Sequence, residues 1–421
     1  MMTQAFYTGI SGLKTNSTGI NVVSDNLANI DTVGFRGNDY EFSSLFENML
    51  STSDATSTSV DSGIGLGVKM QASPMMMQKG SFMLSGKSTD LALLDNGWFG
   101  IQGAGEPLYT RDGNFTFDKN DDLVTQDGYH VLGTMGGNIS ADNVLTGQLA
   151  EVKLADVAKQ EKLRFPKTLT YPPEPTSKAT FSGNIGTESA TRTMSASVVD
   201  SQGNKNKLTL AFTPSATQPS SGIRWDIVAT TKSLDGATIY DTKNAQATFD
   251  ATGKLVSDTL KSIDNNGSPV AIDLGSGYSG IVSNSNTSLS ASSSANGTKG
   301  GDLNGYDINK NGEVIATFTN GKQSSVGKIA VYHFQNDQGL NRISGTRFKA
   351  SSNSGAPLFF KDKNGQNITG TGIQNFKLEG SNVKMDYGLT DLIILQRAYD
   401  ANAKSVTTAD QMIQKALNMS K

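Results

Sequence analysis

The stretch LTDLIILQRAYDANAKSVTTADQMIQKALNMSK, residues 389–421, decides the fold. Mostly apolar positions recur along it at alternating steps of four and three residues, which is the a and d pattern of a coiled coil. Gln396 and Asp410 interrupt this stripe, and polar residues at such positions more often fix register or partner number than add stability. The alternative is an ordinary amphipathic helix packed on its own domain. With Met385 before it, the stripe consists of Leu389, Leu392, Gln396, Tyr399, Ala403, Val406, Asp410, Ile413 and Leu417.

A second apolar stripe lies near the other end of the chain. Glycines and serines interrupt it and lower helix propensity, so this helix should be marginal alone and should form against a partner. We therefore expect the two ends of the chain to lie close together. The terminal helices would then pack along a seam with each other or with the helices of other copies. The N-terminal part of this assembly seam is Phe6, Ile10, Leu13, Ile20, Val23 and Leu27.

The composition limits the possible functions. A chain of 421 residues is too long for one ordinary core. The net charge of −3 gives no basic surplus for nucleic acid or an anionic membrane, and the 45 glycines with many Ser, Thr, Asn and Asp favour short strands joined by tight turns. Cysteine is absent, which excludes disulfides, thiolate catalysis and cysteine-ligated metals.

The sequence also bears on where the protein is found. No run of about 18 apolar residues could cross a bilayer, so we expect no membrane insertion. The start of the chain lacks a basic lead followed by an apolar core. The protein is therefore expected in the cytoplasm, or outside the cell by a route without a cleaved signal peptide.

The pattern along the chain predicts a mainly β multi-domain body with an α-helical coiled-coil domain, arranged as nested discontinuous domains. Residues 1–30 and 385–421 would form the helical domain, 31–70 and 371–384 an extended connector, 71–145 and 298–370 a split β domain, and 146–297 an inserted β domain. Residues 90–102, DLALLDNGWFGIQ, predict a hairpin with a turn at Asn96-Gly97. The insert should contain strands over Lys207–Phe212, Ile223–Thr230 and Ala247–Leu255.

No residue pattern indicates catalysis. His130 and His333 lie in strand-like stretches, where a packed or surface imidazole is the simpler interpretation. The stretches that begin at Asp118 and Asp307 resemble the start of an EF-hand loop but lack its closing Glu, so we interpret them as polar turns. We predict no catalytic, cofactor or metal site and no enzyme activity. The glycines of GIGLGV are better explained as a flexible hinge at Gly63, Gly65 and Gly67 than as a nucleotide loop.

Three stretches carry a resemblance to a known family. NLANIDTVGFR (26–36), STDLALLDNGWFGIQ (88–102) with YTRDGNFTFD (109–118), and the stretch from SNVKM to QKALN (381–418) resemble the flagellar rod and hook axial proteins. A departure from the family pattern is MDYGLTDLI, where Gly388 is expected to loosen the start of the helix. The family motif residues are Asn26, Asn29, Gly34, Phe35, Arg397, Ala401 and Asn402.

The resemblance implies a function. The returning β segment and the large insert are similar to a hook rather than a rod, which implies a homopolymer that forms a curved, hollow tube and acts as a universal joint outside the cell. Implied partners are other copies, the flagellar rod, hook cap and hook–filament junction proteins, and the type III export apparatus. The alternatives are a distal rod protein of the same family, or a secreted coiled-coil adhesin or surface-fibre subunit.

Overall fold

The protein has a long helix near each end and a body of β-strands between them. The computed structural model describes residues 2–45, 67–103, 105–285 and 287–419. Helix α1 spans Met2–Ala28 and helix α2 spans Met385–Met419, with single 3-10 turns at Val157–Lys159 and Asp337–Gly339. This confirms the predicted class of a mainly β body with terminal helices.

The strands form most of the body. In the first part of the chain they are β1 Glu41–Ser44, β2 Val68–Ala72, β3 Phe82–Leu84, β4 Leu91–Leu93, β5 Trp98–Gln102, β6 Leu108–Thr110, β7 Phe115–Phe117, β8 Leu123–Thr125, β9 His130–Met135, β10 Glu161–Lys162 and β11 Thr170–Tyr171. The middle part contributes β12 Lys178–Asn184, β13 Arg192–Val199, β14 Lys205–Pro214, β15 Ile223–Ser233, β16 Ile239–Phe249, β17 Leu255–Asp258, β18 Ser262–Asn265, β19 Ser268–Asp273, β20 Ile281–Val282 and β21 Ser292–Ala295. The returning part contains β22 Gly301–Ile308, β23 Glu313–Phe318, β24 Gln323–Ile329, β25 Val331–Tyr332, β26 Asn341–Ser344, β27 Arg347–Lys349, β28 Phe360–Lys361, β29 Asn367–Ile368, β30 Ile373–Asn375 and β31 Lys377–Glu379.

Strands from both sides of the insert build one large sheet. Its main path runs β11-β22-β23-β24-β9-β5-β6-β27-β26, so outgoing and returning segments alternate within it. The predicted Asn96-Gly97 hairpin is wrong, because β4 pairs with β30 whereas β5 pairs with β6, β9 and β25. Gly97 instead connects two different sheets, with a φ of 147° that favours glycine.

The inserted domain is a pair of five-stranded sheets around one core. One sheet runs β13-β14-β15-β16-β17, and the other contains β12 and β18 to β21. Trp225 and Phe212 lie fully buried between the sheets. The predicted strands at 207–212 and 223–230 are confirmed within β14 and β15. The predicted strand Ala247–Leu255 is wrong at its end, because a turn separates β16 from β17.

The packing also shifts one domain border. Leu163, Phe165 and Leu169 pack in the core of the large sheet rather than in the insert, whose first strand begins at Lys178 and not near residue 146. The sequence pattern assigns these residues to the insert because the neighbouring strands β10 and β11 are too short to show a period. Two antiparallel segments join the insert to the body, with a bridge between Glu174 and Thr298. The remaining division into domains stays a prediction.

Candidate assembly surface and buried junction

Helices α1 and α2 run antiparallel and touch through small residues of α1. A Cβ added at Gly9 would lie 2.6 Å from Val406 Cγ2, and one at Gly12 would lie 2.7 Å from the Asn402 side chain. At Gly19, the nearest atoms of Leu395 would be 3.2 Å away. Real Cβ atoms do not approach as closely as at Gly9 and Gly12, and the distance at Gly19 is tighter than most, so glycine allows the two helices to come together. The glycines that weaken α1 alone are therefore the residues that form its contact.

The predicted seam has the period of this contact and includes Val406, which meets Gly9, but other seam positions of α2 lie one residue away from the contact. The buried positions of α2 are Leu395 and Ala409, with Asn402 half-buried between them, whereas the sequence placed Gln396, Ala403 and Asp410 in the seam. One residue turns the helix by about 100°, which explains why Gln396 and Asp410 are exposed to solvent. The polar interruptions are thus not in the contact between α1 and α2.

The remaining seam residues lie beside the contact in varying degrees of burial. Val23 is buried. Half-buried residues are Phe6, Leu13, Ile20, Leu27, Leu392, Ala403, Val406 and Ile413. Exposed residues are Ile10, Leu389, Tyr399 and Leu417, together with Gln396 and Asp410. Their role in assembly stays a prediction.

The start of α2 carries a band of exposed apolar side chains. Met385, Leu389, Ile393 and Ile394 are each between 47% and 56% exposed, and we call them the α2 band. Contiguous apolar side chains on a protein surface mark sites of interaction. Gly388 lies within this region and does not interrupt the helix, because α2 begins at Met385 and continues through it. A Cβ at Gly388 would lie 2.8 Å from Leu27 Cδ2, so glycine leaves room for Leu27.

A ribbon formed by β1 and β2 lies along α1. Thr15 Oγ1 donates a hydrogen bond to the Val68 carbonyl at 3.1 Å, and Ser11 Oγ accepts one from Val68 N at 3.2 Å. Gly67, one of the predicted hinge residues, has a φ of 107°, and a Cβ there would lie 2.1 Å from Ser11 Oγ. It is thus held against α1. Gly63 and Gly65 lie outside the described residues, so the hinge stays a prediction.

The outgoing and returning chains meet at a buried ionic junction. Glu379, just before α2, forms ion pairs with Arg36, just after α1, at 2.9 Å and with Arg111 of the β body at 3.0 Å. The three side chains are between 1% and 5% exposed. Arg111 Nη1 also donates to the carbonyls of Asp95 at 2.8 Å and Gly97 at 2.7 Å. One carboxylate therefore ties both helix-bearing segments to the β body.

Burial affects the charges of this junction. Burial, with the like charge of Arg111 nearby, lowers the pKa of Arg36 to about 10, while Glu379 opposes this shift. Burial likewise lowers the pKa of Arg111, against the opposing effect of Glu379. Both arginines stay charged near neutral pH. Glu379 forms an ion pair with each of them, and Asp337 adds a weaker attraction to both.

The N-terminal family motif residues surround the junction. Asn26 accepts a hydrogen bond from Asn38 N at 2.9 Å and donates one to the Asn38 carbonyl at 2.7 Å. Gly34 has a φ of 67°, and a Cβ there would lie 2.4 Å from Asp112 N. The Arg342 guanidinium lies 4.7 Å from the centre of the buried Phe35 ring. These residues hold the end of α1 against the β body.

The other motif residues lie on the helices. Asn29 Nδ2 donates to the Asp25 carbonyl at 2.9 Å, which helps to close the last turn of α1. Asn402 is half-buried beside Gly12, whereas Arg397 and Ala401 are exposed. The structure therefore brings Asn26, Gly34 and Phe35 together at the junction and leaves the others apart.

The sequence missed the charged residues of the junction. Arg36 and Arg111 stand within the stretches that carry the family resemblance, but neither was singled out. Residues 36, 111 and 379 are far apart in the chain, and no local period indicates that they meet. The available signal is that each arginine lies two residues from a glycine of its stretch, Arg36 from Gly34 and Arg111 from Gly113.

The two histidines and the predicted polar turns have structural partners. His333 is buried, and its Nε2 lies 2.6 Å from the Thr369 carbonyl, whereas His130 is half-buried and lies 3.7 Å from Asp122. Asp118 Oδ1 accepts hydrogen bonds from Asn120 N at 2.7 Å and Asp122 N at 3.0 Å. Within the described ranges, no group of His, Asp and Glu side chains is arranged to hold a metal ion. None of the described helices is long and apolar enough to cross a membrane.

Three family models match this chain in order. Residues 6–36 match the flagella basal body rod protein family, residues 92–159 the flagellar hook protein FlgE/F/G D1 domain, and residues 374–419 the C-terminal region of flagellar basal body rod FlgEFG proteins. The first and last matches contain nearly all of the two helices with Arg36 and Glu379 of the junction, and the middle match contains Arg111. Paired terminal helices tied to a split β body in this way define a flagellar rod and hook axial protein.

Comparisons of the sequence over nearly its whole length identify the family within this class. The flagellar hook protein FlgE of Brucella suis is 30% identical over 98% of both chains. The FlgE proteins of Borreliella burgdorferi and Escherichia coli are 26% and 27% identical over 99% of this chain and all of theirs. A crystal structure of Helicobacter pylori FlgE2 matches 70% of this chain with 17% identity and a TM-score of 0.49. The chain belongs to the flagellar hook protein family, FlgE.

Proposed function

We propose that this chain is the structural subunit of a bacterial flagellar hook, and that its copies polymerise through their terminal helices into a curved, hollow tube. The observation that carries the proposal is the α2 band, which a single chain leaves open to solvent beside the helix contact. A surface that binds a different surface on the next copy does not close on itself and builds a helical filament.

The arrangement of the domains supports a mechanical role. The helix pairs would line a central channel through which later flagellar subunits pass, and the buried junction would transmit torque from the helices to the β body. The polar insert would lie farthest from the axis and shift against its neighbours at small cost as the tube bends.

The chemistry of the chain supports a route of export and a set of neighbours. A glycine-rich α1 that is stable only against a partner suits passage in an unfolded state through the type III export apparatus, without a cleaved signal peptide. The tube would contact the flagellar rod at one end, and the hook cap and later the hook–filament junction proteins at the other.

Electron microscopy of three purified chains tests the proposal. The unchanged chain is expected to form curved tubes, whereas Leu389→Asp with Ile393→Asp should remain monomeric because buried charges would oppose each helix contact. Val256→Asp is the matched control, since Val256 is 63% exposed on the insert, and it should still polymerise. Straight tubes from the unchanged chain would indicate a distal rod protein. Monomers at high concentration would contradict polymerisation through the terminal helices.

A further inference from the structure

A second ribbon, formed by β3 and β31 near the junction, exposes apolar side chains on both of its faces. Strand β3 pairs with β31 alone among the described strands. Phe82, Met83 and Leu84 in β3 are 39%, 42% and 86% exposed, and Phe376 just before β31 is 45% exposed. We call these four residues the ribbon patch. An exposed apolar edge strand is an unusual feature in a stable protein, because it invites pairing with another chain.

The backbone at this patch is strained. Phe376 has a φ of 57°, a conformation that bulky residues rarely adopt. Strain of this kind costs about 1–3 kcal/mol and persists where the surroundings impose it, often at functional sites. Here it accompanies an aromatic ring that is nearly half open to solvent. The ribbon patch therefore combines an imposed backbone conformation with apolar side chains that its own chain covers only in part.

The exposed charge beside the patch is basic, since Asp90, which bonds to Ser85, is itself buried. Residues 79–87, KGSFMLSGK, contain two lysines and no acidic residue, and Lys377 lies next to Phe376. Lys79 is neutralised by Asp95 at 2.8 Å, while Lys87 is exposed. A partner for this surface should be apolar with acidic residues at its edge.

The start of α2 has that chemistry. Met385, Leu389 and Ile393 follow one another at four-residue intervals and so line one side of the helix. Residues 385–396 contain Asp386 and Asp391 and no basic residue, although Lys384 precedes them. We infer that the ribbon patch of one copy docks on the first turns of α2 in the next copy, with Leu84 against Leu389 and Lys87 near Asp386. This inference rests on the proposed polymer and names the two surfaces that meet in it.

The absence of cysteine from the sequence allows a direct test by disulfide crosslinking in the assembled tube. Leu84→Cys with Leu389→Cys in one chain should give a ladder of covalent multimers after oxidation, because each copy would be linked to the next. A disulfide needs Cα atoms within about 7 Å, so random proximity does not produce it. Leu84→Cys with Val256→Cys is the matched control and should give no ladder. Tubes that form but show no more crosslinking than the control would overturn the inference.

A charge exchange gives a second measurement in case the cysteine variants do not assemble. Lys87→Glu and Asp386→Lys should each raise the critical concentration for polymerisation about threefold, as expected for an exposed ion pair, and the two together should restore it. Failure of the double variant to recover would contradict the pairing. If the unchanged chain forms no tubes at all, the proposed function fails instead, so the two failures are distinguishable.

Discussion

Glu379→Gln tests whether the buried junction depends on its single carboxylate. The change keeps the shape of the side chain and removes the charge that faces Arg36 at 2.9 Å and Arg111 at 3.0 Å. Both guanidinium groups would then be buried without their ion-pair partner, since the three side chains are at most 5% exposed, and only the more distant Asp337 and Asp95 would still act on them. Breaking a buried ion pair in this way costs about 3–5 kcal/mol, a large part of the 5–15 kcal/mol that stabilises a typical domain.

Urea unfolding followed by tryptophan fluorescence measures this cost. Trp98 lies in the body near the junction and Trp225 in the insert, so a Trp225→Phe background reports on the body alone. Glu151→Gln is the control, because Glu151 pairs with Lys328 at 2.7 Å but is 66% exposed, and its loss should cost less than about 1 kcal/mol. A loss of stability in Glu379→Gln no larger than in the control would refute the argument from uncompensated charge.

Two further predictions concern the helix contact and a buried histidine. Gly9→Ala should reduce hydrogen-exchange protection of α1, because its Cβ would lie 2.6 Å from Val406 Cγ2 and this clash outweighs a gain in helix propensity of about 1 kcal/mol. Ser17→Ala, at an exposed position, should increase that protection, and adding Val406→Ala to Gly9→Ala should relieve the clash. Burial lowers the pKa of His333, so the folded chain binds fewer protons than the unfolded chain just below pH 6.5, and stability should fall as the pH falls through that range. His333→Gln should remove this dependence in acid unfolding measurements whereas His130→Gln should not, and an unchanged slope in His333→Gln would contradict the assignment.

The sequence predicted the helices and the class of fold because their signals are periodic. The seven-residue repeat in both helices was correct, but the seam was placed on large apolar residues, and the contact uses Gly9, Gly12 and Gly19. A repeat in the sequence predicts how often a residue of the helix returns to the contact. Which residues face the partner helix depends on where small side chains allow the two helices to approach. Short strands such as β10 and β11 show no period, which explains the misplaced border of the insert.

The junction could not be predicted for a different reason. Arg36, Arg111 and Glu379 come from three distant segments, and only the tertiary structure brings them within ion-pair distance. A charged residue is expected at the protein surface unless the residue that pairs with it is known. The family motif indicated that Gly34 and Phe35 matter, and the structure adds a positive φ at Gly34 and the stacking of Arg342 on Phe35.

The small-residue contact between the helices has a consequence for assembly. The helix contact at Gly9, Gly12 and Gly19 buries Leu395, while the larger side chains of the α2 band stay about half exposed. Fully burying a Leu, Ile or Met side chain stabilises a protein by about 1.5–3 kcal/mol. The four side chains of the α2 band are already about half buried, so covering the exposed half of each would add about half of this value per residue. The total is several kcal/mol, and it is available only when another copy covers the band. Binding energy that appears only in the assembled state stabilises the folded helices by mass action. The helix pair should therefore be less stable in a single chain than in the proposed tube, which would couple the folding of the terminal helices to polymerisation.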